Sequence, residues 1–361
     1  MARTFLGSRA FKGRGALSNP AARFDALTLE QIDDGWYQDE VPPSLNETVL
    51  PDSARTVITT NDSPDVGFDA SINPYRGCSH ACVYCFARPT HAYLGLSPGL
   101  DFETKLFYKA DAVALLEAEL SKPRYVCKPV ALGINTDGYQ PLERRLGITR
   151  SLLDVLARCR HPVSIVTKSA LILRDLDLLA DLARDHLVSV TLSITSLSAE
   201  IKRTLEPRTA SPQARLRVVE RLAQARIPVG VLIAPVIPAI TDHEMEDILT
   251  ASRAAGAGSA GYVLLRLPHE VKTLFREWLG EHYPDRAKHV MSLISQTQGG
   301  KDYDSTFGVR MRGTGPYAEI LRTRFQLAAR KLGFGASRER HDLRTDLFRP
   351  PRASRQLSLD L

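Results

Sequence analysis

No stretch of this sequence stays apolar for the roughly 18 residues that a membrane helix needs. The opening residues, Met1 to Arg9, hold no apolar signal core. Neither membrane insertion nor export is therefore expected, and the chain reads as cytoplasmic. Cysteine is scarce. There are five, an odd number that cannot pair completely, and in a reducing compartment they are expected to remain thiols. Acidic residues are missing from positions 1–23, which carry Arg3, Arg9, Lys12, Arg14 and Arg23. Basic residues are almost missing from positions 25–65, where Arg55 alone faces ten Asp and Glu. This leader also lacks a sustained apolar period, so it is expected to be extended or disordered, its acidic part free to fold back on basic surface of the core. The overall charge of +6 allows an anionic partner without demanding one.

From residue 70 the pattern changes to short apolar runs alternating with amphipathic runs of helical length. Candidate strands are 70–73, 129–135, 162–167, 188–194, 228–234 and 262–267. Candidate helices are 110–120, 148–159, 174–185, 211–225, 242–256 and 269–281. Ser211-Pro212 supplies a cap followed by Pro at the first helical position, and Thr241 with Glu244 offers a capping box. Six strands alternating with six helices predict a parallel sheet with right-handed crossovers. Curled, this sheet is an α/β fold, a partial (β/α)6 TIM barrel. The expected organisation is a leader over 1–60, a core over 61–298, and a C-terminal helix (316–332) with a basic tail over 299–361. In such a barrel the chemistry lies in the loops after the strands.

The loop after the first strand holds Cys78, Cys82 and Cys85 in the pattern C-x3-C-x2-C, with Tyr84 just before the last. Three thiols within eight residues can meet at one metal centre. They are one short of a closed four-cysteine iron–sulfur site, so a [4Fe–4S] cluster here would keep one iron open. Structural zinc usually takes four ligands, often from two C-x2-C pairs. Only Cys82-x2-Cys85 has that form, and His80 lies inside the loop, where reaching the same ion would strain it. A non-catalytic zinc- or cluster-holding module that binds nucleic acid is the alternative reading.

The cysteine spacing and its aromatic resemble the signature of the radical S-adenosylmethionine (SAM) enzymes. With Thr136-Asp137-Gly138-Tyr139-Gln140-Pro141-Leu142-Glu143, Val166-Thr167-Lys168-Ser169 and Leu205-Glu206-Pro207-Arg208, the sequence looks like the spore-photoproduct-lyase-like branch, and more narrowly like a bacterial subfamily of it. The leader motif Lys12-Gly13-Arg14-Gly15-Ala16-Leu17-Ser18-Asn19-Pro20 also resembles that subgroup. The resemblance implies a partial TIM barrel. It implies a [4Fe–4S] cluster on Cys78, Cys82 and Cys85, SAM on the open iron, and reductive cleavage of SAM to a 5′-deoxyadenosyl radical that abstracts hydrogen. It implies an electron donor such as flavodoxin or ferredoxin. Tyr84 falls where the family's loop backbone meets adenine.

The family's usual Gly-Gly-Glu turn is replaced here, so Asn135 and Asp137 are placed by position as holders of the SAM amino group, which needs anionic or carbonyl acceptors. Ser193 and Thr195, on one side of their strand, are candidates for the ribose, and Arg208 for the carboxylate. Spore photoproduct lyases use a further cysteine as hydrogen donor. Cys127 and Cys159 precede strands, so both are expected at the opposite face. The basic tail, with Tyr303, Phe307, Tyr317 and Phe325 for stacking, is a possible grip on nucleic acid.

Overall fold

The computed structural model describes residues 10–25, 46–334 and 343–351. Among the described residues ten strands are formed: β1 (Thr48–Pro51), β2 (Ile58–Thr60), β3 (Ala70–Ile72), β4 (Tyr75–Arg76), β5 (Lys105–Tyr108), β6 (Val130–Leu132), β7 (Val163–Thr167), β8 (Val188–Ser193), β9 (Val229–Val236) and β10 (Ser259–Leu264). The main sheet runs β10-β9-β8-β7-β6-β3-β2, parallel from β3 to β10, with β2 antiparallel on β3. This is the curled parallel sheet of a partial TIM barrel. β1, β5 and β4 form a separate three-stranded sheet beside it.

One row of aligned residues runs through the core of the sheet. Ile72, Leu132, Ile165, Val190 and Val229 are direct neighbours across five strands, and all are buried. Branched side chains repeated at one level suit a parallel sheet with both faces covered. The covering helices are Ala112–Leu120, Ile148–Arg158, Leu176–Arg184, Pro212–Gln224, Met245–Ala254 and Val271–His282. All six match helices expected from periodicity. Ser211 caps its helix by accepting from the Ala214 N–H, as its sequence implies. The Thr241 capping box does not form: Thr241 Oγ1 instead accepts from the Ile237 N–H at 2.9 Å, and a 3₁₀ turn, Asp242–Glu244, precedes the helix. Among the described residues no helix is long and apolar enough to cross a membrane.

The last strand lies three residues earlier than its apolar text suggests. Gly230 on β9 accounts for this, because a Cβ there would stand 2.4 Å from Ser259 Oγ. Its absence lets the weak strand residues Ser259-Ala260-Gly261 pair closely with β9. Leu265 and Leu267 then pack as loop residues in a second core cluster around Phe275 and Trp278.

The N-terminal stretch contains no helix in its described parts, yet it is not free. Residues 10–25 lie against the core, with Ala16 fully buried, and β1 and β2 fall inside the span read as leader. Acids of the 25–65 stretch meet basic residues elsewhere in the chain: Glu47 pairs with Arg208, Asp52 with Arg76 at 3.0 Å, and Asp65 with Arg310 at 2.5 Å. The C-terminal helix, Gly315–Lys331, packs on the core through Ala318, Leu321 and Phe325.

Residues 343–351 return to the opposite end of the barrel, where the Arg344 N–H donates to His186 O and the Arg349 N–H to Cys159 O. Phe348 there meets His161 edge-on at 5.4 Å. Nδ1 of His161 lies 3.0 Å from Pro162 O and must donate to it, so Nε2 accepts from the Tyr125 hydroxyl at 2.7 Å. Accepting at Nε2 requires a neutral ring, and burial lowers its pKa to about 4 against the raising effect of the Pro162 carbonyl. The unfolded chain, at ~6.5, binds the extra proton between these values. His161 therefore contributes fully above about pH 6.5, and stability falls as pH drops toward 4. Urea unfolding at pH 7 and pH 5 is expected to show a loss of about 2 kcal/mol from this group, and a smaller pH effect in His161→Gln.

Candidate active site

β3 ends at Ile72, and the cysteine loop begins six residues later, at the C-terminal mouth of the barrel. Cys78 and Cys82 are buried, Cys85 is half-buried, and none forms a disulfide. The loop is wound by two left-handed residues, Gly77 at φ +74° and Ala81 at φ +60°. A side chain at Gly77 would crowd Leu106, His91 and the Phe102 carbonyl, each 3.0 Å away. Main-chain bonds fix the rest: Cys78 N–H donates to Phe102 O at 3.0 Å, Cys85 N–H to Cys82 O at 3.2 Å, and Val83 N–H to Leu205 O at 3.2 Å.

Three polar residues outside the expected set brace this loop. Gln140, after β6, accepts from the Ser79 N–H at 2.9 Å and donates to Gly77 O at 3.2 Å. Arg88, fully buried, donates to Cys82 O at 2.9 Å, to Pro98 O at 3.0 Å and to Gly99 O at 2.9 Å, and pairs with the buried Glu103. Glu103 in turn accepts the N–H groups of Gly15 (3.2 Å) and Ala16 (2.8 Å), strapping the N-terminal segment across the loop. The strap lies so close that a Cβ on Gly15 would be 1.9 Å from Ala81 O.

Asp137 and Asn135 stand beside the loop. The Asp137 carboxylate is 3.3 Å from His80 Nδ1 and accepts from Thr167 Oγ1 at 2.8 Å, the Lys168 N–H at 2.8 Å and the Tyr139 N–H at 2.9 Å. Burial opposes charge on both partners. Asp137 and the Cys78 thiol nevertheless push His80 up to about 9, while His80 and the two N–H groups hold Asp137 below the usual carboxylate range. Asn135 is exposed, its N–H bound to Asn73 Oδ1 at 2.9 Å. Glu143, from the same loop, is fully buried and serves the fold, accepting from Thr149 N–H and the Tyr75 hydroxyl.

On the other side a second buried carboxylate, Glu206, gathers Tyr84, Thr195 and Arg215. Burial raises the cost of its charge, but Arg215, Lys168 and the two hydroxyls bring it down to about 2. Ser193 and Thr195 do share a side: their hydroxyls lie 3.1 and 2.9 Å from Ala234 O. Lys168 Nζ donates to Ser193 Oγ at 2.9 Å and sits 5.8 Å from the Tyr84 ring centre. Arg208 reaches the loop through its N–H, which donates to His80 O at 3.3 Å, while its guanidinium pairs with Glu47. Burial pushes the Cys82 and Cys85 thiols up.

The donor set fits a cubane cluster. It offers three free thiols, and the Ser79 hydroxyl within the loop is buried without a partner. No His, Cys, Asp or Glu trio among the described residues converges as ligands of a single ion. A cubane takes one thiolate per iron, so its cysteines need not meet at one point.

Cys127 and Cys159 lie before β6 and β7, and the Cys159 carbonyl is bound by Arg349 at the far end of the barrel. The expected stacking surface on the C-terminal helix is largely spent. Phe325 is buried, Tyr317 donates to Asp242 at 2.5 Å, and Arg322 and Arg324 pair with Glu319 and Glu246. Gln140 and Glu206 lie inside the motifs that carry the family resemblance, and Glu103 outside them. Only the three-dimensional contacts single them out, because each works through backbone groups or hydroxyls distant in sequence.

A family model described as the radical SAM superfamily matches residues 72–251. An uncharacterised protein of Mycobacterium bovis is 40% identical over 275 residues, covering 76% of this chain and 75% of that one, and a protein of Mycobacterium tuberculosis matches equally. A protein of Methanocaldococcus jannaschii is 28% identical over 173 residues, covering 48% of this chain and 62% of that one. Spore photoproduct lyase complexed with dinucleoside spore photoproduct shares the fold, at TM-score 0.56 and 16% identity over 80% of each chain. The chain belongs to the radical SAM superfamily. Its fold is like that of spore photoproduct lyase, and its cofactors are those of the superfamily, a [4Fe–4S] cluster and SAM.

Breaking the buried Arg215–Glu206 pair leaves a charge 2% exposed and without its partner. Glu206→Gln is expected to cost about 3–5 kcal/mol in urea unfolding, and a Glu206→Leu/Arg215→Met double variant distinctly less.

Proposed function

We propose that Cys78, Cys82 and Cys85 hold the cluster of a radical SAM enzyme whose substrate is nucleic acid. The observation that carries this reading is the cysteine loop itself. Its three unpaired thiols sit at the mouth of the barrel, and the loop is braced by Gln140, Arg88 and Val83. Held by these thiols and reduced by a donor of the flavodoxin or ferredoxin class, such a cluster would supply the electron for reductive cleavage of SAM to methionine and a 5′-deoxyadenosyl radical.

The chain's own residues bind and orient. Asn135 and Asp137 are the proposed acceptors for the amino group of SAM, Asp137 in competition with its four protein donors. Tyr84 lies against the loop, locked by Glu206. Ser193 and Thr195 offer ribose contacts from the mouth. Arg208 can take the carboxylate only in competition with Glu47, whereas Lys168 donates to the Ser193 hydroxyl and is the freer cation. Nucleic acid as substrate is supported by the net charge of +6 and by the dinucleoside held in the fold relative.

Anaerobically reconstituted, dithionite-reduced protein is expected to hold about four irons per chain and to form 5′-deoxyadenosine from SAM. Cys82→Ala is expected to lose both. One zinc per chain and no iron would return the zinc-module reading.

A further inference from the structure

One arginine at the mouth is built for a partner that the protein itself does not supply. Arg266 follows β10, at the same end of the barrel as the cysteine loop. The flanking Leu265 and Leu267 are buried in the second core cluster, so the strand end that carries Arg266 is held firmly. Its guanidinium lies 5.0 Å from the ring centre of Phe86, the residue immediately after Cys85. Its one hydrogen-bond contact is long, 3.5 Å from Nη2 to the Tyr303 hydroxyl, and its Nε is buried without any partner. The nearest carboxylate in sequence, Glu270, lies 3.9 Å from Arg23 instead. Among the described residues Arg266 has no ion pair, whereas Arg88, Arg150, Arg174, Arg208 and Arg215 all have one.

Phe86 is equally unusual. It is 39% exposed beside a loop whose other aromatic, Tyr84, is 8% exposed. A large apolar ring left open next to the proposed cluster loop loses burial energy that Ala or Ser would not lose. Arg266 covers part of the ring and leaves the rest open. A guanidinium with free donors takes a phosphate in a bidentate fork, and an open aromatic face takes a base by stacking.

The geometry points to Arg266, Phe86 and Tyr303 as a nucleotide-binding corner at the mouth, in which Phe86 stacks on an unpaired base and Arg266 holds the adjoining phosphate. This rests on the nucleic-acid reading above and gives it a place in the molecule. That place is the active-site mouth rather than the C-terminal helix, where Arg322 and Arg324 are paired. Because Phe86 is joined to Cys85, a base stacked there would be brought next to the cluster loop.

The test is fluorescence anisotropy of a fluorescein-labelled twelve-thymidine single strand, titrated with full-length reconstituted protein at several salt concentrations. Phe86→Ala is expected to weaken binding roughly tenfold. Arg266→Gln is expected to weaken it and to make the salt slope shallower by roughly 0.7, the share of one phosphate contact on a single strand. Arg266→Lys keeps the charge but not the fork and is expected to fall between, which separates recognition from misfolding. If wild type and all three variants bind alike, the corner is overturned while nucleic acid as substrate stands. If wild type does not bind the strand at all, both fail. Iron content and 5′-deoxyadenosine formation in the same samples report separately on the radical SAM reading.

Discussion

The buried pair of Arg88 and Glu103 is where three distant stretches of the chain meet. Arg88 follows the cysteine loop, Glu103 precedes β5, and the N-terminal strap lays Gly15 and Ala16 on the Glu103 carboxylate. Neither charged side chain has any exposure. Ions so placed are costly unless every lone pair and proton is used. Here most are: the guanidinium uses four of its five N–H groups, on three carbonyls and Glu103, and the carboxylate takes two N–H groups besides. Such a pair contributes geometry more than net stability. It fixes the Cys82 carbonyl, and with it the turn that presents the thiols.

Glu206 plays the corresponding part on the other side of the mouth. It collects Arg215 from the next helix, Thr195 from the end of β8 and Tyr84 from the cysteine loop. The loop is thus gripped from both flanks by buried carboxylates, with Gln140 across its middle. A site meant to position a reactive group needs this kind of support, because its precision is set by the residues behind the ligands. The aromatic Tyr84 and the hydroxyls of Thr195 and Ser193 are held by these contacts before any ligand arrives.

The parallel sheet was legible because β-branched apolar runs alternating with amphipathic helices have few other ways to bury their faces. The helix Pro212–Gln224 and its Ser211 cap follow from local chemistry alone. Where text and fold parted, long-range contact was the cause. β10 shifted because Gly230 admits Ser259, a neighbour 29 positions away. Thr241 capped nothing because the Ile237 N–H claimed its hydroxyl. The strap over 10–25 has no periodicity to betray it: it is held by Glu103, not by a helix or sheet of its own. The Arg208 guanidinium was read as open, and an acid 161 positions earlier meets it.

The sequence by itself determined the chemistry that the chain can carry and the sheet that carries it, since thiol spacing and apolar period are local properties. Tertiary structure decided which polar side chains are spent and which are left open. Asp137, Glu206 and Arg208 turn inward to protein partners, while Arg266 and Phe86 remain available. That division depends on which distant groups reach each charge, and a buried charge must be met by whatever the fold brings within hydrogen-bonding distance.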